Sequence, residues 1–124
     1  MPLRWNIDHE NKLLHVVAEG PVSLKDMEAH FDAIVIENAL SYAKLFDGSA
    51  GWPELSDHDI LMLGARLSAY TETFENGPLA VVGDGDLARF SFRRFVNISP
   101  SKRPARLFRT EADARAWLMS QLES

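Results

Sequence analysis

The chain has 124 residues, 46% hydrophobic and 25% charged, with a net charge of −5, which fits one ordinary globular domain with enough apolar content for a core. It has no cysteine, which excludes disulfide staples, thiolate zinc sites and cysteine nucleophiles. No apolar run approaches the roughly 20 residues a membrane span needs, and the opening Met1-Pro2-Leu3-Arg4 lacks a secretory pattern, so a cytoplasmic location is expected.

The first elements read as a hairpin. Leu3 to Asp8 is a short strand with Trp5 and Ile7 on one side. Leu13 to Glu19 is a second, with Leu14, Val16 and Ala18 on one face and Leu13, His15 and Val17 on the other. The turn His9-Glu10-Asn11-Lys12 is short enough to pair them antiparallel, and Gly20-Pro21 is expected to stop the second strand. Ser23-Leu24-Lys25-Asp26 has the spacing of a capping box. Behind it Leu24, Met27, Phe31, Ile34, Val35 and Asn38 share one helical face, with His30 and Asp32 off it, which predicts a helix from Leu24 to about Ala39.

Tyr42 to Asp47 is the third strand, and Gly48 to Leu55 is expected to be a long loop carrying Trp52-Pro53. Ser56-Asp57-His58-Asp59 repeats the cap pattern, and Ile60, Leu63, Leu67, Tyr70 and Phe74 form the next helical stripe. Asn76-Gly77-Pro78 is expected to end that helix through a C′ glycine. Leu79-Ala80-Val81-Val82 is apolar throughout, so it needs cover on both faces, the mark of an inner strand of a parallel sheet. Asp86 is expected to cap a third helix in which Ala88, Phe92, Phe95 and Val96 share a face, Phe90 lies outside it and Ser99-Pro100 is the stop. After a loop from Ser101 to Pro104, Ala105 to Phe108 is the last strand; Thr110 to Asp113 caps a helix striped by Ala114, Trp117, Leu118 and Leu122. The order predicts an α/β domain over residues 1–124: a β-hairpin followed by successive βα units, in a mainly parallel sheet with helices packed on it.

Charge is unevenly spread. From Leu87 to Arg109 there are 7 basic residues and no acid, which leaves 6 basic against 18 acidic residues elsewhere, a net −12. Arg93 and Arg94 in this segment are candidates for contact with an acidic partner or an acidic face of a second copy. Nucleic acid is disfavoured by the overall charge and by the lack of an aromatic stacking pattern on a strand. Gly83-Asp84-Gly85-Asp86-Leu87-Ala88 fits G-x-G-x-x-A, but it is not the first βα turn, and Asp84 and Asp86 would repel a pyrophosphate. Asp57, Asp59, Asp84 and Asp86 all follow strands and are expected near one sheet edge, where carboxylates can hold a divalent ion or simply cap helices. No histidine has a partner at i+3 or i+4, and Asp47-Gly48-Ser49-Ala50-Gly51 is not a nucleophile elbow, so no catalytic, metal or cofactor site is assigned. Trp52 and Phe90 are the apolar residues best placed to anchor an interface.

The layout and the tail Arg106-Leu107-Phe108-Arg109-Thr110-Glu111-Ala112-Asp113-Ala114-Arg115-Ala116-Trp117-Leu118 together resemble the STAS domain of bacterial anti-sigma-factor antagonists, in particular its small SpoIIAA-like branch. The opening Trp5-Asn6-Ile7, Leu13-Leu14 and Gly20-Pro21-Val22-Ser23 is similar too. The likeness covers nearly the whole chain, through structural motifs. It implies regulatory protein–protein interaction rather than catalysis. It also implies a serine, at the start of the helix after the third strand, that a partner kinase phosphorylates, adding about −1.5 to −2 charge. The pattern there is Asp-Ser-Ser-Gly. Here Leu55-Ser56-Asp57-His58 stands nearest, with Ser56 or Asp57 at the serine's place and no glycine in either register; the residues themselves read Ser56 as a helix cap.

The expectation is therefore a non-enzymatic regulatory or interaction module, whose partner is a protein or a second copy of itself. Its surface would draw on Trp52, Ser56, Asp57, His58, Asp84, Asp86, Phe90, Arg93 and Arg94. The alternative is a carrier of a small apolar ligand or lipid, because the likeness reaches toward lipid-transfer folds and Phe90, Phe92 and Phe95 are candidates to line a cleft.

Overall fold

Alternating and continuous apolar runs become five strands, and the capped stripes become four helices, in the computed structural model, which describes residues 2–98 and 104–122. The elements are β1 (Leu3–Asp8), β2 (Leu13–Val22), α1 (Leu24–Ile36), β3 (Ala43–Pro53), α2 (Asp57–Thr71), β4 (Leu79–Val82), α3 (Asp86–Ile98), β5 (Ala105–Phe108) and α4 (Glu111–Leu122). The expected stop at Ser99-Pro100 and most of the loop after it lie outside the described residues. The strands form one sheet in the order β1-β2-β3-β4-β5. β1 is antiparallel to β2, and the other pairs are parallel. Right-handed crossovers between parallel strands laid down in one direction return on one side of the sheet. Accordingly α1, α2 and α3 lie on the face that carries Leu14, Val16 and Phe46, here the front, while α4 packs Ala114 and Leu118 on the back, against Leu45, Ala80 and Val82.

The two expected capping boxes are present. Oγ of Ser23 accepts from the Asp26 N–H at 3.2 Å and the Asp26 carboxylate accepts from the Ser23 N–H at 2.9 Å. Ser56 and Asp59 repeat this at 3.1 and 3.0 Å. On α4, Oγ1 of Thr110 accepts from the Asp113 N–H at 3.2 Å. β4 has its expected bounds and lies between β3 and β5, covered on both faces.

Several boundaries differ from the sequence reading. Gly20-Pro21 does not stop β2, and Gly48 to Pro53 is not a loop. After a register shift between Val17 and Glu19, the strands continue in parallel, Gly20 opposite Gly51 and Pro21 opposite Trp52. β1 ends its pairing at Ala18, so this part of β2 is an edge, where proline is tolerated. Gly51 is needed at the shift, because a Cβ there would lie 2.7 Å from that of Ala18. α1 stops at Ile36 rather than near Ala39: Asn38 adopts a left-handed φ of 58°, and the Ala39 N–H reaches back to the Ile34 carbonyl at 2.8 Å. Asp86 is the first residue inside α3 rather than a cap before it, and its carboxylate pairs with Arg89. Phe74 lies past the end of α2 and is exposed, as is Leu122 in the last turn of α4.

Gly77 differs most in role. α2 has already ended at Thr71, so Gly77 is not its C′ residue. It is buried where two turns cross. Its N–H donates to the Leu40 carbonyl at 3.0 Å, and a Cβ would sit 2.3 Å from the Tyr42 carbonyl oxygen and 2.4 Å from that of Ser41. Both obstacles are backbone and have no rotamer by which to yield. Gly77→Ala is therefore expected to cost about 3 kcal/mol or more. An unchanged urea midpoint would show that the two turns do not meet this closely.

Candidate functional site

The front layer is not uniformly tight. α1 and α2 are clamped by Arg66, whose guanidinium reaches Glu28 at 3.0 Å and Asp32 at 2.8 Å on α1. By contrast, no residue of α3 from 86 to 97 is fully buried. The helix is held at its start, where a Cβ on Gly83 would lie 3.1 Å from that of Ala88, and further along by Arg94, which donates to the Leu55 carbonyl at 3.2 Å and pairs with Asp57. Its inner side is small at Ala88 and Ser91 and bulky at Phe92 and Phe95. Large rings beside small residues keep the helix off the sheet without filling the gap. The result is a cavity of about 340 Å³ between α3, α1 and the front of β2, β3 and β4. Its rim includes Trp52, Asp84, Leu87 and Arg94, at the carboxyl ends of β3 and β4, where open α/β sheets bind ligands.

Two buried polar side chains lie in the wall of this largely apolar space, His30 and Lys44, only 3% and 5% exposed, with the less buried Ser49 and Ser91 also in the lining. The sequence reading missed both buried residues. Met27, His30, Phe31 and Ile34 are in fact spaced i, i+3, i+4, i+7, so His30 occupies a stripe position, and Trp5 of β1 covers it edge-on at 4.7 Å. The periodicity was the available signal; the polar residue type masked it. Lys44 lies in the alternation of β3 on the same face as Phe46. Its ammonium donates to the carbonyls of Leu40 and of Tyr42 (3.0 Å) and to Oδ1 of Asn76 (2.9 Å). Burial, and secondarily the Lys44 charge, push the His30 pKa down from 6.5 to about 4, so the ring is neutral at pH 7. Its Nδ1 is buried with no hydrogen-bond partner among the described residues.

Of the residues singled out from the sequence, Trp52, Asp84 and Arg94 meet at the rim. Trp52 stands on β3 rather than in a loop, and it is 45% exposed. Ser56 caps α2, and Asp57 joins it to Arg94; His58 points to solvent. Asp84 accepts from the Gly85 N–H at 2.8 Å and lies 3.7 Å from Arg109. Phe90 and Arg93 are on the exposed side of α3. The four aspartates do not converge: Asp59 serves the cap of α2, and the other three face arginines. Among the described residues no three His, Asp or Glu side chains are grouped to hold a metal ion, and no helix is long and apolar enough to cross a membrane. The basic segment is partly neutralised, through Arg89, Arg94 and Arg109. Arg106 lies over the Phe108 ring at 5.2 Å; Lys102 and Arg103 lie outside the described residues.

No family model matches the chain, and no curated protein matches it in sequence. Solved structures do match. An uncharacterised protein of the DUF3478 family with a SpoIIAA-like fold, from Shewanella loihica, aligns with a TM-score of 0.63 and 23% identity, over 94% of this chain and 93% of its own. The chain has a SpoIIAA-like fold. An anti-sigma factor antagonist from Mycobacterium paratuberculosis aligns at TM-score 0.56 and 20% identity, over 94% of each chain. Unphosphorylated SpoIIAA, an anti-sigma factor antagonist, aligns at 0.55 and 11%, over 94% of this chain and 97% of its own. The β1–β2 hairpin and the parallel βα units expected from the sequence are those of the SpoIIAA-like fold.

Two measurements test this site. Ser56→Ala removes the α2 cap and is expected to cost about 1 kcal/mol; no loss would show that the cap is not formed. The unfolded His30 imidazole takes up a proton near pH 6.5 and the folded one only near 4, so between these values the unfolded chain binds more protons. Stability from this group is complete above about pH 6.5 and is lost as pH falls toward 4. Comparing wild type with His30→Phe, the wild type should lose about 2 to 3 kcal/mol more between pH 7.5 and 4.5. Parallel pH profiles for the two would contradict a buried neutral His30.

Proposed function

We propose that the protein is a non-enzymatic regulatory module that docks another protein on the face built from the end of β3, the start of α2 and the outer side of α3. One observation carries this reading: large apolar side chains are exposed around the Arg94–Asp57 pair. Phe90 is one turn before Arg94 and is 62% exposed; Leu61 is one turn after Asp57 and is 68% exposed. Trp52 and Leu87, the latter 59% exposed, share the rim with Arg94. Apolar side chains gathered around a charged centre have the composition of an interface with hot-spot anchors. The shared fold of two anti-sigma factor antagonists supports a protein as partner. Ser56, Asp57 and His58 lie at the start of α2 beside this face. A phosphate on Ser56 would add charge to the docking surface itself and displace the cap.

A second reading, a carrier of a small apolar ligand, is favoured by the cavity beneath α3.

Affinity capture from the source cell with wild type, Phe90→Asp and Leu61→Asp tests the docking face. One protein retained in stoichiometric amount by wild type, and at least about tenfold less by either variant, is expected, with unchanged circular dichroism. If sedimentation shows that the variants instead abolish a wild-type dimer, the partner is a second copy. Equal retention by all three proteins would remove this face from the function.

A further inference from the structure

The cavity and the neutral histidine in its wall specify a ligand more narrowly than the carrier reading, on which this step rests. A volume of about 340 Å³ is at the small end of those that hold organic ligands. The wall is mainly hydrocarbon and aromatic, from Val16 and Ala18 of β2, Met27 and Phe31 of α1, and Phe92 and Phe95 of α3. His30 lines this wall, its Nδ1 buried and without a hydrogen-bond partner among the described residues, and Ser91 of α3 adds a hydroxyl to the lining. A buried polar atom left unpaired costs roughly 1–3 kcal/mol, so retaining a histidine here has a physical rationale if something in the cavity bonds to it. Lys44 does not compete for that role. An ammonium has three donors, and those of Lys44 meet Leu40 O, Tyr42 O and Asn76 Oδ1.

We propose that the space under α3 binds a small uncharged apolar molecule whose single hydroxyl group hydrogen-bonds to the imidazole of His30. A hydroxyl both donates and accepts, so it suits either tautomer of a neutral imidazole. An ionised carboxylate does not suit the site. It would be desolvated among hydrocarbon with the hydrogen-bonding capacity of Lys44 already taken, and a buried charge so poorly matched is costly. Entry is at the rim, past Trp52 and Leu87. The rim belongs to the proposed docking face, but the ligand claim needs no partner protein and stands or falls separately from it.

The test uses 1-decanol, decanoate and toluene as probes at pH 7.5, titrated into the whole chain and followed by tryptophan emission and by the rise in Tm. Trp5, against the His30 ring, and Trp52, at the rim, report occupancy. Saturable 1-decanol binding is expected, at least about tenfold tighter than decanoate. His30→Phe should weaken 1-decanol about fivefold, the order of one hydrogen bond, and leave toluene unchanged. Ser91→Phe should weaken both probes at least about tenfold by filling the space; Ser91→Leu is the milder filling variant if the first fails to fold. Toluene binding with no effect of His30→Phe on 1-decanol overturns the hydroxyl assignment while leaving a carrier. Decanoate binding as tightly as 1-decanol overturns the uncharged class. Absence of saturable binding by 1-decanol and toluene alike overturns both the proposal and the carrier reading, and leaves a water-filled cavity.

Discussion

Chain-order strands with right-handed crossovers commit three helices to one side of the sheet, and the uneven packing of this molecule follows from that commitment. β2 through β5 follow one another across the sheet without a skip, so α1, α2 and α3 cannot be shared between its faces. They are nevertheless not equally bound. α1 and α2 bring Met27, Phe31, Ile34, Leu63 and Leu67 into a common core and are joined at the surface by Arg66. Among the described side chains of α3 only Phe95 packs against that core, and from partial burial. The back of the sheet is simpler. α4 covers it through Ala114 and Leu118, small and medium residues that let the helix approach closely.

The looseness of α3 has a cause in its own residues. Helix–sheet contact is tight when the inward positions of a helix are of similar size, because every one can then touch the sheet at one distance. In α3 the inward positions change from Ala88 and Ser91 to Phe92 and Phe95. The phenylalanines set the stand-off and the small residues leave it open. Evenly sized apolar residues would close the gap and gain roughly 25 cal/mol per Å² of surface removed from water, so the open arrangement is costly to stability. The same holds for His30, where a phenylalanine would keep the Trp5 contact without burying an unpaired nitrogen. Two costs located in one cavity are what a site, rather than a packing fault, would show.

How much of this the sequence disclosed depended on whether the deciding interaction was local. Capping boxes are closed within four residues, and both were readable from Ser23 with Asp26 and Ser56 with Asp59. β1, β4 and β5 were readable because their apolar patterns are bounded by turn residues on both sides. The continuations of β2 and β3 were not. Gly20-Pro21 and the run from Gly48 to Pro53 are locally turn-like, and they are strand only because each pairs with the other. Gly77 reads locally as the C′ residue of α2, but the close neighbours that set its role, the Ser41 and Tyr42 carbonyls, are distant in the chain. Trp52, Asp84 and Arg94 are unconnected in the sequence, and the cavity rim is what unites them. Of the three phenylalanines that the sequence offered for a cleft, Phe92 and Phe95 line the cavity and Phe90 faces outward; its volume had no sequence signature, because it is a mismatch of sizes across an interface that only the fold creates.

Lys44 shows how the two ends of the sheet came to differ. Its ammonium binds the carbonyls of Leu40 and Tyr42, from the connection that follows α1, and Asn76, from the connection that precedes β4. Gly77 donates to that same Leu40 carbonyl at 3.0 Å. One cation, with the Gly77 N–H, thus satisfies carbonyls of two turns, and the amino ends of β3 and β4 are drawn together. A cation bonded this way has no remaining reach toward the cavity, although its charge helps to keep His30 neutral. Among the described residues the opposite end has no buried cation bonded in this way. There the side-chain links across elements include Arg94 with Asp57 and the Leu55 carbonyl, and the exposed pair Arg109 with Asp84, which contributes little to stability. A fold fastened at the amino ends of its strands and lightly held at the carboxyl ends leaves α3 as the element that can yield. The cavity rim and the exposed apolar residues lie at that lightly held end, so a ligand entering beneath α3 and a protein binding across its outer side would both act on the same helix.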